Sequence, residues 1–334
     1  MTAIKYNSDF IFLYDATLCN PNGDPDQENK PRMDYDTSTN LVTDTRVKRF
    51  IRDYLKDQGH EIFVDMEGDS KVSSDSKLDF VVQRILSDSA ERASIFKESP
   101  ELLKEFEAII AEKKDKDSIL KLLQHAKNSK LNYYILSQLV KNRFVDIRMF
   151  GSAFAVKEFT KAYTGAIQMN WGYSLNQVEL VESSSIVTIM NDDSSTFGKD
   201  YRVYYSLLAF NGTINKYAAK TTGLTEDDLK LFRKAIWESI PSQPTRSKMN
   251  QYPKFYLEIV YNEGFNNGYF GDLRNAIKVE CKEGVVTKQV RSLRDLVIDV
   301  SGLEMLLKEK VGEGKPIKEV IINKSIDFPE LKIN

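Results

Sequence analysis

The sequence predicts an α+β fold, and three observations carry that prediction. A largely apolar stretch, "DFIFLYDATL" (9–18), has the look of a buried strand. Two amphipathic helix patterns follow, one basic near 43–56 and one capped and acidic at its start near 224–240. Between and after them, apolar runs alternate with turn clusters in the manner of strands and hairpins. The order is strand, basic helix, strands, second helix, strand, which fits a βαββαβ ferredoxin-like or RRM-like core. A Lys/Glu-rich block interrupts it and reads as a helical insertion over 69–142.

The first strand runs into "CNPNGDPDQENKPRMDYDT". Asp24, Asp26 and Glu28 alternate as at the opening of a calcium-binding loop, but the sixth place holds Asn29 instead of Gly and the twelfth Tyr35 instead of Glu. Asn22-Gly23, Asp24-Pro25 and Lys30-Pro31 are turn chemistry, so a solvated turn is the better reading. Thr43 or Asp44 then caps a helix whose Val47, Phe50, Ile51, Tyr54 and Leu55 share one face. Arg46, Lys48, Arg49, Arg52 and Lys56 occupy the rest, and against Asp53 these five bases leave +4. Periodicity alone leaves two readings of this basic surface open, a solvated helix face or a nucleic-acid contact.

Residues 145–156, "VDIRMFGSAFAV", read as β-like text, and 164–223 as a run of strands. Within that run, "SIVTIM" followed by the polar "NDDSSTFGK" predicts a long hairpin. In "LTEDDLKLFRKAIWESI", Thr225 caps a helix with Leu229, Phe232, Ile236 and Ile240 facing inward. "KFYLEIVYNEG" (254–264) is a further strand. Arg148, Phe150 and Gly151, with "QMNWGYSL" after them, mix arginine, aromatic and glycine as base-stacking surfaces do. They equally suit a strand end with a tight turn, and Trp171 equally suits the core.

Composition narrows the function classes. With 47 Lys and Arg against 49 Asp and Glu in 334 residues, the chain is not basic all over, although a local basic strip remains open. Two distant cysteines, Cys19 and Cys281, make no disulfide framework or zinc pattern and suit a reducing cytoplasm. No apolar run suits a signal peptide or membrane span, so a soluble intracellular protein is expected. His60 and His125 have no partner at a recognised spacing, and no GxSxG, HExxH or P-loop occurs. No catalytic, metal or cofactor site is expected.

"NPNGDPDQENKPRMDYDT…NLVTDTRVKRFIRDYL", "DIRMFGSAFAV" and "TGAIQMNWGYSLNQVEL" together resemble the backbone subunit of type I CRISPR effector complexes. This is the Cas7 family of the RAMP superfamily, with subtype I-B most similar and I-C next. The resemblance implies a modified RRM palm over 1–68 and 143–334, helical fingers over 69–142 and a projecting thumb hairpin at about 177–200. It implies a subunit without a catalytic role that polymerises along CRISPR guide RNA. Its partners would be that RNA, further copies of itself, other Cascade subunits and a target DNA strand. Arg46, Lys48, Arg49, Arg52, Arg148, Phe150, Gly151, Gln168 and Asn170 become candidate RNA contacts, and Ile189 and Met190 candidate thumb wedges. Type III relatives cut RNA with an acidic residue after the first strand. Asp24 and Asp26 lie in a comparable place, so a metal-dependent ribonuclease is the alternative.

Overall fold

A computed structural model describes residues 2–332 except 66–81, 85, 113–118, 124, 157–158, 182–184, 192–193 and 309. At 120, 126, 153–156, 159–161, 185–191 and 194–198 it describes the backbone alone. The chain divides into two compact units, one of 1–4, 55–166 and 216–230, the other of 5–54, 167–215 and 231–334. The expected boundary at 68/69 lies outside the described residues.

The second unit is built on a large antiparallel sheet, so the mixed α+β expectation holds. Its strands are β1 (Ser8–Cys19), β2 (Met33–Asp34), β3 (Thr39–Val42), β4 (Ile167–Met169), β5 (Gly172–Ser174), β6 (Val203–Ile214), β7 (Gln251–Tyr261) and β8 (Ile317–Lys324). They lie in the order β8-β7-β1-β6-β5-β3-β2, with β4 also paired to β6. β1 is antiparallel to both β6 and β7, and β5 is antiparallel to β6. Hence β1 and β5 run parallel with β6 between them, and β6 and β7 run parallel with β1 between them.

Strand alternation gives β1 two different faces. Phe10, Phe12 and Tyr14 are buried on one, where Phe10 meets Phe232 edge-on and Tyr14 stacks on Phe210. Helix α1 (Asp44–Asp57) and, later in the chain, the helix Glu226–Ser242 accompany this face, joined by the Tyr54 hydroxyl donating to Glu238 at 2.6 Å. Ile11 and Leu13 point the other way, into a core with Leu273, Leu303 and Phe328 from the last third of the chain. An RRM-like sheet would have offered that face as a stacking platform, but here side chains from 265–331 cover it.

The first unit is mainly helical. It contains α2 (Ser89–Ile95), α3 (Pro100–Ala111), α4 (Ile119–Leu123), α5 (Ser129–Asn142), α6 (Val145–Phe150) and α7 (Lys216–Thr222). Phe96, Phe106, Leu131, Leu139, Phe144 and Ile147 form its core. Residues 145–150 correct the β-like reading, because they form a helix and only Gly151–Val156 is a strand. Every residue of α6 is buried, the charged Asp146 and Arg148 included, so the alternation of Val145, Ile147 and Met149 with these two imitates the period of a strand. Gly151 ends the helix at φ +75, and a Cβ there would overlap the Tyr163 carbonyl.

α8 (Glu226–Ser242) begins as expected, with Thr225 Oγ1 accepting from the Asp228 amide and Asp228 Oδ2 accepting from the Thr225 amide. α9 (Ser301–Leu307) packs Leu303 and Leu307 into the C-terminal core. The expected hairpin is present, pairing Ser185–Asn191 with Ser194–Lys199. It starts later than 177, since residues 178–181 hydrogen-bond to Ser38 and to 202–204. Ile189 and Met190 lie on its first strand, and their side chains are outside what is described.

Candidate nucleic-acid interface

Where β1 ends, the turn-rich loop is drawn tightly onto the start of α1. Asn22 Oδ1 accepts from the Thr43 amide at 2.9 Å and the Thr43 hydroxyl at 3.0 Å. Thr43 Oγ1 in turn accepts from the Arg46 amide, so the loop and the helix cap are one hydrogen-bonded unit. The segment after α8 is fastened alongside: the Asn20 amide donates to Ser247 O and the Thr17 amide to Asn250 O. These loops and the foot of the hairpin frame a half-open polar cavity of about 360 Å³, lined by Asn20, Asn22, Arg46, Lys199, Asp200 and Lys248 among others.

The cavity holds two cations without an acidic partner. Among the described residues neither Arg46 nor Lys248 forms an ion pair. Lys248 Nζ donates instead to the carbonyls of Asn20 and Pro21. The Arg46 guanidinium lies 4.0 Å from the Phe50 ring centroid, and its buried Nε has no hydrogen-bond partner. Asp200 is shared by Arg202 at 2.8 Å and Arg246 at 3.1 Å, and Lys199 meets Glu28 at 2.8 Å. Five basic side chains therefore gather near two acids, Asp200 and Glu28, at one end of the central strand.

Burial pushes Lys248 down to about 8, aided by repulsion from Arg46 and opposed by Cys19. Burial also lowers Arg46 and lifts the Cys19 thiol to about 12. A phosphate beside Lys248 favours its charged form, so binding at pH 8–9 is expected to take up a proton and weaken as pH rises. Calorimetry in buffers of different ionisation enthalpy measures that uptake, and Lys248→Arg removes it. In the free protein the folded value lies below the unfolded one. Stability is therefore lost as pH falls through about 8 and regained toward the ordinary lysine value of 10.5.

The structure separates the other expected contacts. Lys48 and Arg49 are half-buried on α1 and donate to Asp44 at 2.8 Å and Asp53 at 2.9 Å; Arg52 is half-buried too. The helix is thus less openly basic than its text, because acids one turn away pair with its bases. Arg148 and Phe150 correct their expected exposure. Both are buried in the other unit, where Arg148 grips Asp228 with two bonds of 2.9 and 2.8 Å and donates to Lys141 O. That guanidinium is taken up by Asp228 and the Lys141 carbonyl and offers little surface to phosphate, and Gly151 serves the helix end.

Gln168 and Asn170 are exposed but distant from the cavity. Gln168 is matched to Thr213 and Thr213 to Asp9, whereas the cavity adjoins Cys19, ten residues along β1 and about 33 Å away. Beside them Trp171 is exposed rather than in the core, with Arg32 5.8 Å from its ring. Asp24 caps a short turn and pairs with Arg32 at 3.2 Å, while Asp26 is exposed. No cluster of three His, Cys, Asp or Glu suited to a metal occurs among the described residues. No helix among them is long and apolar enough to cross a membrane.

Sequence reading missed Lys248, Lys199, Arg202 and Arg246. "TRSKMN" (245–250) follows a proline turn and carries two bases, yet a pair of bases in a loop is ordinary solvent text. Only folding sets it against Arg46.

An α+β protein whose central strand ends in a cavity of unpaired cations is suited chemically to holding an anion. Residues 6–301 match the family model described as "CRISPR-associated protein Cas7", and the chain belongs to that family. The chain is similar to a "CRISPR-associated protein Cas7" from Haloferax volcanii, at 29% identity over 316 residues, covering 91% of this chain and 83% of the relative. Among solved structures, it is similar to a chain described as "CRISPR RNA-guided surveillance complex, pre-nicking" at a TM-score of 0.44 and 14% identity, covering 77% and 79% of the two chains. A chain of a "CRISPR RNA-guided surveillance complex" follows at a TM-score of 0.36 and 14% identity, with 77% of each covered.

Proposed function

We propose that this chain is the guide-RNA-binding backbone subunit of a type I, I-B-like Cascade complex in the cytoplasm. It polymerises along the RNA with further copies of itself, joins other Cascade subunits and presents the guide to a target DNA strand, without catalysing a reaction. Family membership supports the reading, and the unpaired Arg46 and Lys248 in one cavity carry it. A holder of many guides must grip phosphate and sugar and leave base edges free. Repetition along one RNA multiplies a few contacts into avid binding, so a chain of net charge −2 can serve.

In this reading the sheet with α1 and α8 is a modified RRM-like palm, the strand order β7-β1-β6-β5 being that of a split βαβ core. The block at 69–142, whose described helices run from Ser89 to Asn142, supplies fingers. The hairpin of 185–199 is the thumb, with Ile189 and Met190 as wedges between bases. Lys48, Arg49, Arg52, Gln168 and Asn170 are secondary contacts along the RNA path.

Purification from cells that also express a guide transcript tests this. RNA should co-purify, and the number of bound subunits should grow with RNA length; a nucleic-acid-free monomer would refute the proposal. Deleting 186–197 should leave the rest folded while the regular ladder of nuclease protection disappears, and an unchanged ladder removes the hairpin from the RNA path. Regularly spaced cleavage of complementary RNA with magnesium, lost in Asp24→Ala or Asp26→Ala, would favour the ribonuclease.

A further inference from the structure

The cavity at the end of β1 contains an unmet acceptor as well as an unmet donor. Asn20 is 7% exposed, and its Nδ2 donates to Asn29 O at 2.7 Å, which sets the orientation of the amide. The other end, Oδ1, is buried and accepts no hydrogen bond. Arg46 Nε in the same lining is a buried donor with none to give to. Lys248 is tied to the Asn20 carbonyl, which brings its ammonium beside the same residue. A buried polar atom without a partner is costly, so a pair of opposite kind in one cavity describes the ligand that would satisfy both.

A phosphodiester alone does not complete this set, since it carries only acceptors and suits Arg46 and Lys248 while leaving Asn20 Oδ1 unmet. The missing group is a hydroxyl next to a phosphate. In a nucleic acid chain that group is the ribose 2′-hydroxyl, which is present at every RNA nucleotide and absent from DNA. A base edge would also supply a donor, but it would tie the site to sequence.

We propose that Asn20 accepts a hydrogen bond from a ribose 2′-hydroxyl while Arg46 and Lys248 hold the adjacent phosphate, so that the cavity selects RNA over DNA backbone. This rests on the guide-RNA reading and adds to it a specificity-determining residue. Selection of this kind would keep a guide holder from retaining the DNA strands that its guide must pair with.

The test is fluorescence anisotropy with a labelled single-stranded RNA, the all-2′-deoxy oligomer of the same sequence and a 2′-fluoro version, on wild type and Asn20→Ala. Wild type should bind RNA roughly tenfold more tightly than either analogue. Asn20→Ala should bring the three within about twofold of one another by weakening RNA alone, as loss of a single hydrogen bond requires. Because Asn20 also holds Asn29, a scan of single 2′-deoxy positions on wild type is read beside the variant, and weakening should recur at one position per subunit. Equal binding of RNA and DNA by wild type, a flat deoxy scan, or an RNA preference intact in folded Asn20→Ala overturns the inference and leaves the guide-RNA reading standing. Wild type that binds neither polymer overturns both.

Discussion

Arg46→Glu with Lys248→Glu is expected to abolish guide-RNA retention, weakening binding per subunit by roughly 100-fold or more. Both cations lie in one cavity and, among the described residues, neither forms an ion pair, so each reversal removes an attraction and adds a repulsion. Two phosphate contacts on a single strand contribute about 1.4 to the slope of log affinity against log salt, and that slope should fall by this amount per subunit. Arg49→Glu with Arg52→Glu is the internal comparison. Arg49 is tied to Asp53, so this pair should cost less than the cavity pair, although both carry the same charge change. An unchanged salt slope in the Arg46/Lys248 variant would remove the cavity from the RNA path.

Arg148→Met is expected to lower the stability of the folded chain by about 3 kcal/mol, measured by urea unfolding. The substitution leaves the Asp228 carboxylate buried with only the Thr225 amide for company. Replacing both partners, Arg148→Met with Asp228→Leu, should restore part of the loss, because the desolvated charge then disappears from both sides. RNA affinity and salt slope per folded molecule should stay at wild-type values. A fall in the salt slope without loss of stability would return Arg148 to the list of RNA contacts.

Legibility differed from residue to residue for physical reasons. Thr225 was visible as a cap because a hydroxyl three residues before an acid is a local arrangement, and the structure contains both of its hydrogen bonds. The β1 strand was visible because "DFIFLYDATL" is too apolar for any exposed element, and all but its last residues are fully buried. α6 was not visible, since Asp146 and Arg148 are buried on partners distant in the chain and their alternation with apolar neighbours reads as a strand. For Trp171 and Phe150 the sequence leaves a stacking and a structural reading equally open, and the structure exposes the tryptophan and buries the phenylalanine. Both are aromatic residues beside a glycine, and nothing in their neighbours encodes which side of a layer they take. On α1, the text counted bases, while the structure set Asp44 and Asp53 against Lys48 and Arg49.

By itself, the sequence determined the class of fold, the strand-and-helix order of the sheet unit, the helix caps and one member of the candidate site, Arg46. These depend on patterns within a turn or a strand, where neighbours in the chain are neighbours in space. The tertiary structure alone decided that 265–331 close the second face of the sheet, that Arg148 is buried against Asp228 and that Lys248 stands beside Asn20 and near Arg46. Each of these joins residues tens to hundreds of positions apart. Such pairings depend on strand register and on which loops meet at a sheet end, and no local pattern in the text carries that information.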